Sequence, residues 1–185
     1  MHVHLNIGSN LGDREDNIRR AVASLRQLAS DISTVRVSDP MVSPPWGYES
    51  SNEFLNVGMS FDTDLTPGSL LEATQQIQHS ISAASHRDPA TGSYIDRLID
   101  IDIIACTDPH SPDDCLSTIS RHHVDAELQS SIAHRPDPIP RGQKLIEITT
   151  PDLTLPHPRA LQRDFVLTPL RQIDLTLYTL LTETK

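Results

Sequence analysis

The order of strand and helix patterns in the sequence predicts an α+β fold, with a mainly antiparallel sheet and helices packed on it. Four segments have the character of strands, and two segments repeat apolar residues at helical spacing. They follow one another as strand, helix, strand, strand, helix, strand. This is the βαββαβ order of a ferredoxin-like core.

The first half of the chain supplies three strands and the first helix. Apolar residues at alternate positions in 3–7 and 54–61 indicate strands, and residues 32–37 also have strand character. Between the first two strands, apolar residues recur at helical spacing over 16–28 and predict a helix. Residues 43–47 contain two prolines and a glycine, which predict a stiff loop rather than regular structure.

The second helix and the fourth strand follow. Thr66 offers a capping hydroxyl and Pro67 suits the first helical position, so we expect a helix to begin there. The pattern lapses over 82–92, where we expect a loop. The fourth strand follows within residues 96–104.

The remainder of the chain has mixed structure. Residues 107–141 are rich in Asp, His, Ser and Pro and are interpreted as an excursion from the domain, with a short helix at 124–132. A short strand is expected at 144–148. A helical region is expected at 161–173, followed by a helix turn or a loosely packed tail at 174–185.

Composition argues against several classes of partner. The net charge of −10 and the pI of about 5.2 argue against nucleic acid or an anionic membrane surface as the main partner. Cys106 and Cys115 form no C-x-x-C pair, so a reducing, cytoplasmic setting is expected. The first residues lack the pattern of a signal peptide, and no apolar run is long enough to span a membrane. The length fits one domain over 1–185, with the excursion as an insertion.

The fourth strand carries the clearest chemical signal. Alternation puts Asp100 and Asp102 on one face and isoleucines on the other. The two carboxylates then stand roughly 6–7 Å apart, and they repel each other unless a cation lies between them. Mg²⁺ prefers such ligands together with substrate phosphates, and Arg97 lies just upstream, where its cation could reach a phosphate. The pattern indicates a metal–phosphate site, or else a strand with one solvated face.

A second group of residues suits a flat heterocycle. Phe54 and Asn56 share one face of their strand, and Trp46 lies in the stiff loop before it. An aromatic ring can stack on a heterocycle while an amide reads its donors and acceptors; alternatively, Trp46 plugs the edge of the core. The loop at 8–12 is either a phosphate cradle or a tight turn capped by polar residues. His157, held between two prolines, is the best histidine candidate for a ligand contact.

Four parts of the chain occur in an order and spacing typical of one enzyme family. They are residues 7–13, 43–47 with 54–56, 97–103, and 155–159 with 163–167. Taken together, they resemble the 6-hydroxymethyl-7,8-dihydropterin pyrophosphokinases, which are enzymes of folate biosynthesis. The resemblance covers nearly the whole chain except 107–141.

The resemblance implies a ferredoxin-like fold and transfer of pyrophosphate from ATP to the hydroxymethyl group of the pterin, with release of AMP. It also implies that Asp100 and Asp102 hold two Mg²⁺ ions that bridge the ATP phosphates and the acceptor oxygen, in agreement with the strand pattern. Arg97 joins these aspartates among the expected catalytic residues. We expect a monomer or weak homodimer whose partners are the small molecules ATP and pterin.

The same resemblance assigns residues to the two substrates. The pterin pocket corresponds to Ser43, Pro44, Pro45, Trp46, Phe54, Asn56 and Phe165. The pterin ring is expected to lie between Phe54 and Phe165, with Asn56 reading its edge. The ATP contacts correspond to Gln75, Gln78, Tyr94, Arg97, Ile103, Thr154, His157 and Arg163.

The chain departs from the family pattern mainly in its cations. The family has two basic residues on the loop after the second helix, where neutral residues fall here, and Arg87 is the candidate replacement in a catalytic role. Tyr94 stands in place of a tryptophan, and it can still stack on adenine. Gln78 stands in place of a glutamate that reaches the nucleotide, and Asp152 in place of an arginine.

Other functions remain open at this point. A two-metal nucleotidyl transferase on a similar sheet would also use paired acids, although it would not need the Pro-Pro-Trp loop or the pair Phe54 and Asn56. A catalytically impaired homologue that binds pterin or nucleotide is favoured by the missing loop arginines. A noncatalytic ferredoxin-like binding module would leave the grouping of Arg97 with the two aspartates unexplained.

Overall fold

A five-stranded antiparallel sheet forms the centre of the fold in the computed structural model, which describes residues 1–84, 87–88, 90–108 and 143–183. Its strands are β1 (His2–Ser9), β2 (Arg36–Val37), β3 (Met41–Ser43), β4 (Phe54–Asp62) and β5 (Asp100–Thr107). β1 lies between β5 and β4, and the short strands β2 and β3 both pair with the other edge of β4. This arrangement confirms the predicted ferredoxin-like α+β plan.

Four helices flank this sheet within the described residues. They are α1 (Arg14–Leu25), α2 (Pro67–Ile81), α3 (Asp164–Ile173) and α4 (Leu175–Glu183). Side-chain oxygens of Asp13 and Thr66 cap the first two helices by accepting backbone N–H groups. A separate hairpin pairs β6 (Ile148–Thr149) with β7 (Thr154–Leu155). In the described part of the chain, none of the helices is both long and apolar enough to cross a membrane.

The sheet has an apolar cluster on each face. On the first face, alternate residues of the long strands pack against α1 and α2. Buried members of this first cluster include Val3, Leu5, Ile7, Val57, Met59, Ile101, Ile103, Ile18, Leu25 and Leu70. On the second face, Ile104 and Ala105 pack against apolar residues of α3 and α4. These two helices cover only part of the second face, and the remainder lines a pocket.

An irregularity in β5 puts two consecutive residues of the strand on the second face of the sheet. Its pairing with β1 shifts by one residue near His4, which inserts Ile104 into the strand. Ile104 and Ala105 therefore both pack in the second cluster, while Ile103 before them and Cys106 after them pack in the first. The carbonyl oxygen of Ile104 accepts a hydrogen bond from the amide of His157 at 2.8 Å. This contact fixes the loop after β7 against the sheet.

Some predicted boundaries in the first half of the chain are wrong. The helix predicted over 16–28 ends at Leu25 and continues as one 3₁₀ turn. The strand predicted over 32–37 is reduced to β2, because Asp31 caps a 3₁₀ turn at its start. β3 is missed by the sequence pattern, since its three residues adjoin the proline-rich loop.

The fourth predicted strand starts later than residue 96. The amide of Arg97 donates to Oδ1 of Asn10 at 2.8 Å, and the carbonyl of Arg97 accepts from the amide of Asn10 at 3.2 Å. Because Asn10 already binds both the backbone N–H and the carbonyl of Arg97, the regular pairing of β5 with β1 begins only at Asp100.

The C-terminal region has less strand and more helix than the sequence predicts. The strand expected at 144–148 is reduced to a bridge at Leu145 and the first residue of β6. The helical region at 161–173 is α3 preceded by a 3₁₀ turn. Residues 174–185 contain α4, a helix of nine residues. The helix predicted at 124–132 lies outside the described residues.

His2, at the start of β1, bridges two carboxylates from different elements. Its Nδ1 lies 2.5 Å from an oxygen of Asp62 at the end of β4, and its Nε2 lies 2.7 Å from an oxygen of Asp174 between α3 and α4. Burial opposes a charge on His2, but the hydrogen bonds and negative charges of Asp174 and Asp62 outweigh it and raise the pKa of His2 to about 9. The protonated imidazole thus ties the sheet to the C-terminal helices.

We expect the stability that comes from His2 to be lost as pH rises. Its folded-state pKa of about 9 exceeds the ordinary value of 6.5, so this contribution is complete below pH 6.5 and disappears as pH rises through 9. Between pH 6.5 and pH 9 the free energy of unfolding of the wild type should therefore decrease. In His2→Gln this decrease should be smaller by on the order of 2 kcal/mol. Urea denaturation across the interval measures the effect, with His79→Gln on α2 as the control. Equal pH slopes in wild type and His2→Gln would contradict the assignment.

Candidate functional site

A pocket opens on the second face of the sheet, beside the start of α3. Its cavity volume is about 230 Å³. The long strands provide its floor, and the loops before β4, before β5 and after β7 provide its walls. It brings together most of the predicted site residues, namely Ser43, Pro44, Trp46, Phe54, Asn56, Tyr94, Arg97, Asp100, Asp102, His157, Arg163 and Phe165.

Gly8 lies at the centre of the pocket floor. In the sheet register it is opposite Asn56 on β4 and opposite Asp100 on β5. Because glycine has no side chain, the space between the amide and the carboxylate stays open. A Cβ atom here would lie 3.2 Å from Oδ1 of Asn56 and 3.3 Å from Cδ1 of Phe54, so any other residue would crowd the pocket.

The two aspartates of β5 stand on the same side of the strand, as the alternation predicts. Asp100 and Asp102 both line the pocket, while Ile101 between them belongs to the first cluster. Each carboxylate pairs with one arginine: Arg97 at 2.6 Å from Asp100, and Arg163 at 3.2 Å from Asp102. Burial and the charge of Asp100 raise the pKa of Asp102 above its usual range, against the effect of both arginines. A further cation beside the two carboxylates would relieve this repulsion.

An amide and two aromatic rings form the opposite wall. Nδ2 of Asn56 donates to the hydroxyl of Ser43 at 3.0 Å and to the carbonyl of Met41 at 3.2 Å, so the plane of this amide is fixed. Phe54 and Phe165 enter the pocket from β4 and α3. This wall has the residue types that bind a flat heterocycle through its faces and its edge.

Trp46 lies at the rim of the pocket. Its residue surface is 36% exposed and it lines the pocket, which favours a ligand contact over a plug at the edge of the core. The guanidinium carbons of Arg163 and Arg159 lie 4.6 and 5.4 Å from the centre of its ring. These cation–π contacts place positive charge beside the aromatic wall.

His157 is held as a neutral side chain in the pocket wall. Its Nδ1 accepts a hydrogen bond from the amide of Arg159 at 3.2 Å. Burial, together with the positive charges of Arg163 and Arg159, lowers the pKa of His157 to about 4. The imidazole is therefore uncharged at neutral pH, and its proton is assigned to Nε2, where it can be donated.

Three predicted site residues lie beside the pocket rather than in it. Ile103 and Thr154 line a neighbouring groove that shares Asp102 and His157 with the pocket. Pro45 belongs to the stiff loop, but only its neighbours in sequence line the cavity.

Three more predicted residues are further from the cavity lining. Gln75 is exposed on α2, and Oε1 of Gln78 accepts from the amide of Ile101 at 2.5 Å. Arg87 is exposed, and its guanidinium carbon lies 4.2 Å from the ring centre of Tyr94, which lines the pocket. The predicted roles of all three remain predictions.

Four lining residues were not singled out from the sequence as ligand contacts: Asn6, Gly8, Pro158 and Arg159. Asn6 and Gly8 alternate with buried residues of β1, so the face rule that selects the two aspartates could have found them. Arg159 ends the segment 155–159 that carries the family resemblance, but no ligand contact was assigned to it from the sequence. Of the residues predicted as a loop at 8–12, Gly8 and Ser9 belong to β1, and only Gly8 lines this pocket.

The fold and the pocket together define a class: an α+β protein whose pocket combines carboxylates and arginines, which are suited to phosphate groups, with an aromatic and amide wall, which is suited to a flat ring. The family model for 7,8-dihydro-6-hydroxymethylpterin-pyrophosphokinase matches residues 4–175. The chain belongs to this family, and it is an ATP-dependent pyrophosphokinase of folate biosynthesis.

Curated relatives support this assignment over most of the chain. A 2-amino-4-hydroxy-6-hydroxymethyldihydropteridine pyrophosphokinase of Porphyromonas gingivalis is 31% identical over 171 residues, covering 92% of this chain and 89% of that protein. The protein of the same name from Bacillus subtilis is 31% identical over 170 residues, covering 92% and 76%. The folic acid synthesis protein FOL1 of Dictyostelium discoideum is 29% identical over 171 residues, covering 92% and 19%. These matches favour pyrophosphokinase chemistry over the nucleotidyl-transferase and noncatalytic alternatives.

We expect the Arg163–Asp102 pair to contribute a measurable coupling energy when Mg²⁺ and nucleotide are absent. The Arg163 side chain is 9% exposed and that of Asp102 is 30% exposed, so solvent screens the pair only partly. A double-mutant cycle with Arg163→Ala and Asp102→Ala should give a coupling of about 1–2 kcal/mol in the free energy of unfolding. The exposed Arg19–Asp16 pair on α1 is the control and should give a much smaller coupling. Equal couplings for the two pairs would show that the pocket does not strengthen the interaction.

Proposed function

We propose that this chain transfers the pyrophosphoryl group of ATP to the hydroxymethyl oxygen of 6-hydroxymethyl-7,8-dihydropterin and releases AMP. The observation that carries the proposal is the sheet register that sets Asp100 and Asn56 on either side of Gly8. The carboxylate belongs to the phosphate half of the pocket and the amide to the ring half. One position without a side chain therefore separates the two halves, and the reacting groups can meet there.

The two aspartates fit a Mg²⁺ site that phosphate completes. Among the residues that the structure describes, no group of three or more His, Cys, Asp or Glu side chains could hold a metal ion. Mg²⁺ commonly binds one or two carboxylates together with substrate phosphates and water, so Asp100 and Asp102 suffice as protein ligands when ATP is present. Bound Mg²⁺, expected as two ions, would supply neutralisation of phosphate charge and alignment of the acceptor oxygen.

Arginines supply the positive charge for the phosphate chain. In the described part of the chain, the Nε atoms of Arg97 and Arg163 are buried and have no hydrogen-bond partner. A buried N–H group without a partner is unfavourable, so an anionic oxygen that enters the pocket gains by meeting it. The ion pairs with Asp100 and Asp102 hold both side chains at the pocket before the nucleotide binds.

The aromatic wall orients the acceptor. Phe54 and Phe165 hold the faces of the pterin ring, and Asn56 reads its edge because Ser43 fixes the plane of the amide. The hydroxymethyl oxygen then attacks the β-phosphorus of ATP and its proton is released to solvent. The bond between the β-phosphorus and the oxygen that bridges it to the α-phosphorus breaks, and AMP leaves with that oxygen. The ring contacts fix the direction of the hydroxymethyl group. The two bound substrates then react as if they were one molecule, which lowers the entropic cost of the attack.

The nucleoside part of ATP fits the groove beside the pocket. Ile103 and Thr154 line this groove, which joins the pocket at Asp102 and His157. The neutral His157 can donate a hydrogen bond at this junction. Arg87 is retained as the candidate replacement for the loop arginines of the family.

The direct test is AMP formation from ATP, Mg²⁺ and the reduced hydroxymethylpterin. Wild-type protein should release AMP, and Asp100→Asn and Asp102→Asn should each lower kcat by at least about 100-fold, because each change removes a metal-binding charge. Asp31→Asn is the control, since asparagine keeps the oxygen that caps its exposed turn.

Three outcomes would count against the proposal. If the protein folds and binds the pterin but forms no AMP, the proposed catalytic activity is wrong. Formation of ADP in place of AMP would assign the reaction to γ-phosphoryl transfer. Near-normal turnover in both aspartate variants would place the metal elsewhere.

Gly8→Ala tests the placement of the ring. The new methyl group would crowd Asn56 and Phe54, so the KM for the pterin should rise by about tenfold while the KM for ATP changes little. Gly68→Ala on α2 is the matched control, because a Cβ atom there meets nothing within 4 Å. Steady-state kinetics with each substrate varied in turn measure both constants. An unchanged pterin KM in Gly8→Ala would mean that the ring binds away from the sheet floor.

A further inference from the structure

Asp96 is a carboxylate outside the pocket lining that accepts hydrogen bonds from two separate loops. One of its oxygens accepts from Nδ2 of Asn10 at 2.7 Å and from the hydroxyl of Tyr48 at 3.1 Å. The other accepts from the hydroxyl of Ser50 at 2.9 Å and from Nδ2 of Asn52 at 2.5 Å. Burial opposes the charge of Asp96, but these four hydrogen bonds hold its pKa below the ordinary value. The carboxylate is therefore charged at neutral pH.

The segments joined by Asp96 carry different walls of the pocket. Three of its donors belong to residues 48–52, which follow Trp46 in the chain and lead into Phe54. Asp96 itself immediately precedes Arg97. A single carboxylate thus connects the loop of the ring half of the pocket to the segment of the phosphate half.

The two halves do not depend on Asp96 to the same degree. Arg97 has other restraints: its guanidinium pairs with Asp100 at 2.6 Å, and its backbone bonds to Asn10. Trp46 is exposed at the rim, and its position follows that of the loop that Asp96 anchors. Loss of the carboxylate should therefore disturb the ring half more than the phosphate half.

We propose that Asp96 is a positioning residue that fastens the loop at 48–52 to the segment before β5 and thereby sets the position of Trp46 at the rim of the pterin site. Four donors occupy its two oxygens, so it acts as a structural acceptor rather than as a further metal ligand. The inference about pterin affinity rests on the proposed function, whereas the inference about loop order does not.

Trp46 is the only tryptophan in the chain, so its fluorescence reports on this loop without a label. In Asp96→Ala we expect the acrylamide quenching constant of Trp46 to rise by about twofold and the KM for the pterin by about tenfold, with kcat and the KM for ATP changed by less than about threefold. Asp96→Asn keeps one acceptor oxygen and should give intermediate values. Asp31→Ala, which removes another carboxylate that accepts a backbone N–H, should change neither quenching nor kinetics.

Unchanged quenching and unchanged pterin KM in Asp96→Ala would overturn the proposal. Equal rises in the KM for pterin and for ATP would also overturn it, because Asp96 would then act through Arg97. If Asp96→Ala does not fold, Asp96→Asn decides by the same measurements. If wild-type protein forms no AMP, the proposed function fails separately, and the quenching of Trp46 still decides whether Asp96 orders the loop.

Discussion

The pairing register of β1 with its two neighbours is the constraint on which the pocket depends. Gly8 lies opposite Asn56 on one side and opposite Asp100 on the other. A slip of one residue in either pairing would turn the amide or the carboxylate into the first apolar cluster. Leu5 and Ile7, which are fully buried on the opposite face, resist such a slip. The packing of the core and the geometry of the site therefore both follow from the alternation of side chains between the two faces of the sheet.

The pocket has a charge balance opposite to that of the whole chain. The net charge of the chain is −10, yet three arginines and two aspartates line this cavity among the described residues. Screening in solution limits the reach of distant surface charges to about 8–10 Å, so the groups in the wall dominate the field that a ligand meets. Arg97 and Arg163 also hold the two carboxylates at fixed positions. An acidic protein can in this way bind a polyanion.

Local alternation was sufficient to predict the faces of β4 and β5, including the pair Asp100 and Asp102. It could not predict the role of Asp96, because its four donors lie between 44 and 86 residues away in the chain. The same limit explains the boundary of β5: the strand pattern continues upstream, but Asn10 takes the backbone groups of Arg97. The alternation of apolar residues predicts which face of a strand a residue occupies. The hydrogen bonds of Asp96 and Arg97 depend instead on which loops lie close together in the fold.

The basic half of the site depends on the loop after β7 more than the sequence indicates. The sequence lacks the two basic residues that the family has on the loop after α2. In the structure, Arg159 lines the pocket beside Arg163. Both belong to the chain that starts at His157, whose amide is held by the inserted residue Ile104. The bulge in β5 therefore has a consequence beyond the packing of Ile104 and Ala105 in the second cluster. It anchors the segment that brings two of the pocket's three arginines to the carboxylates of the same strand.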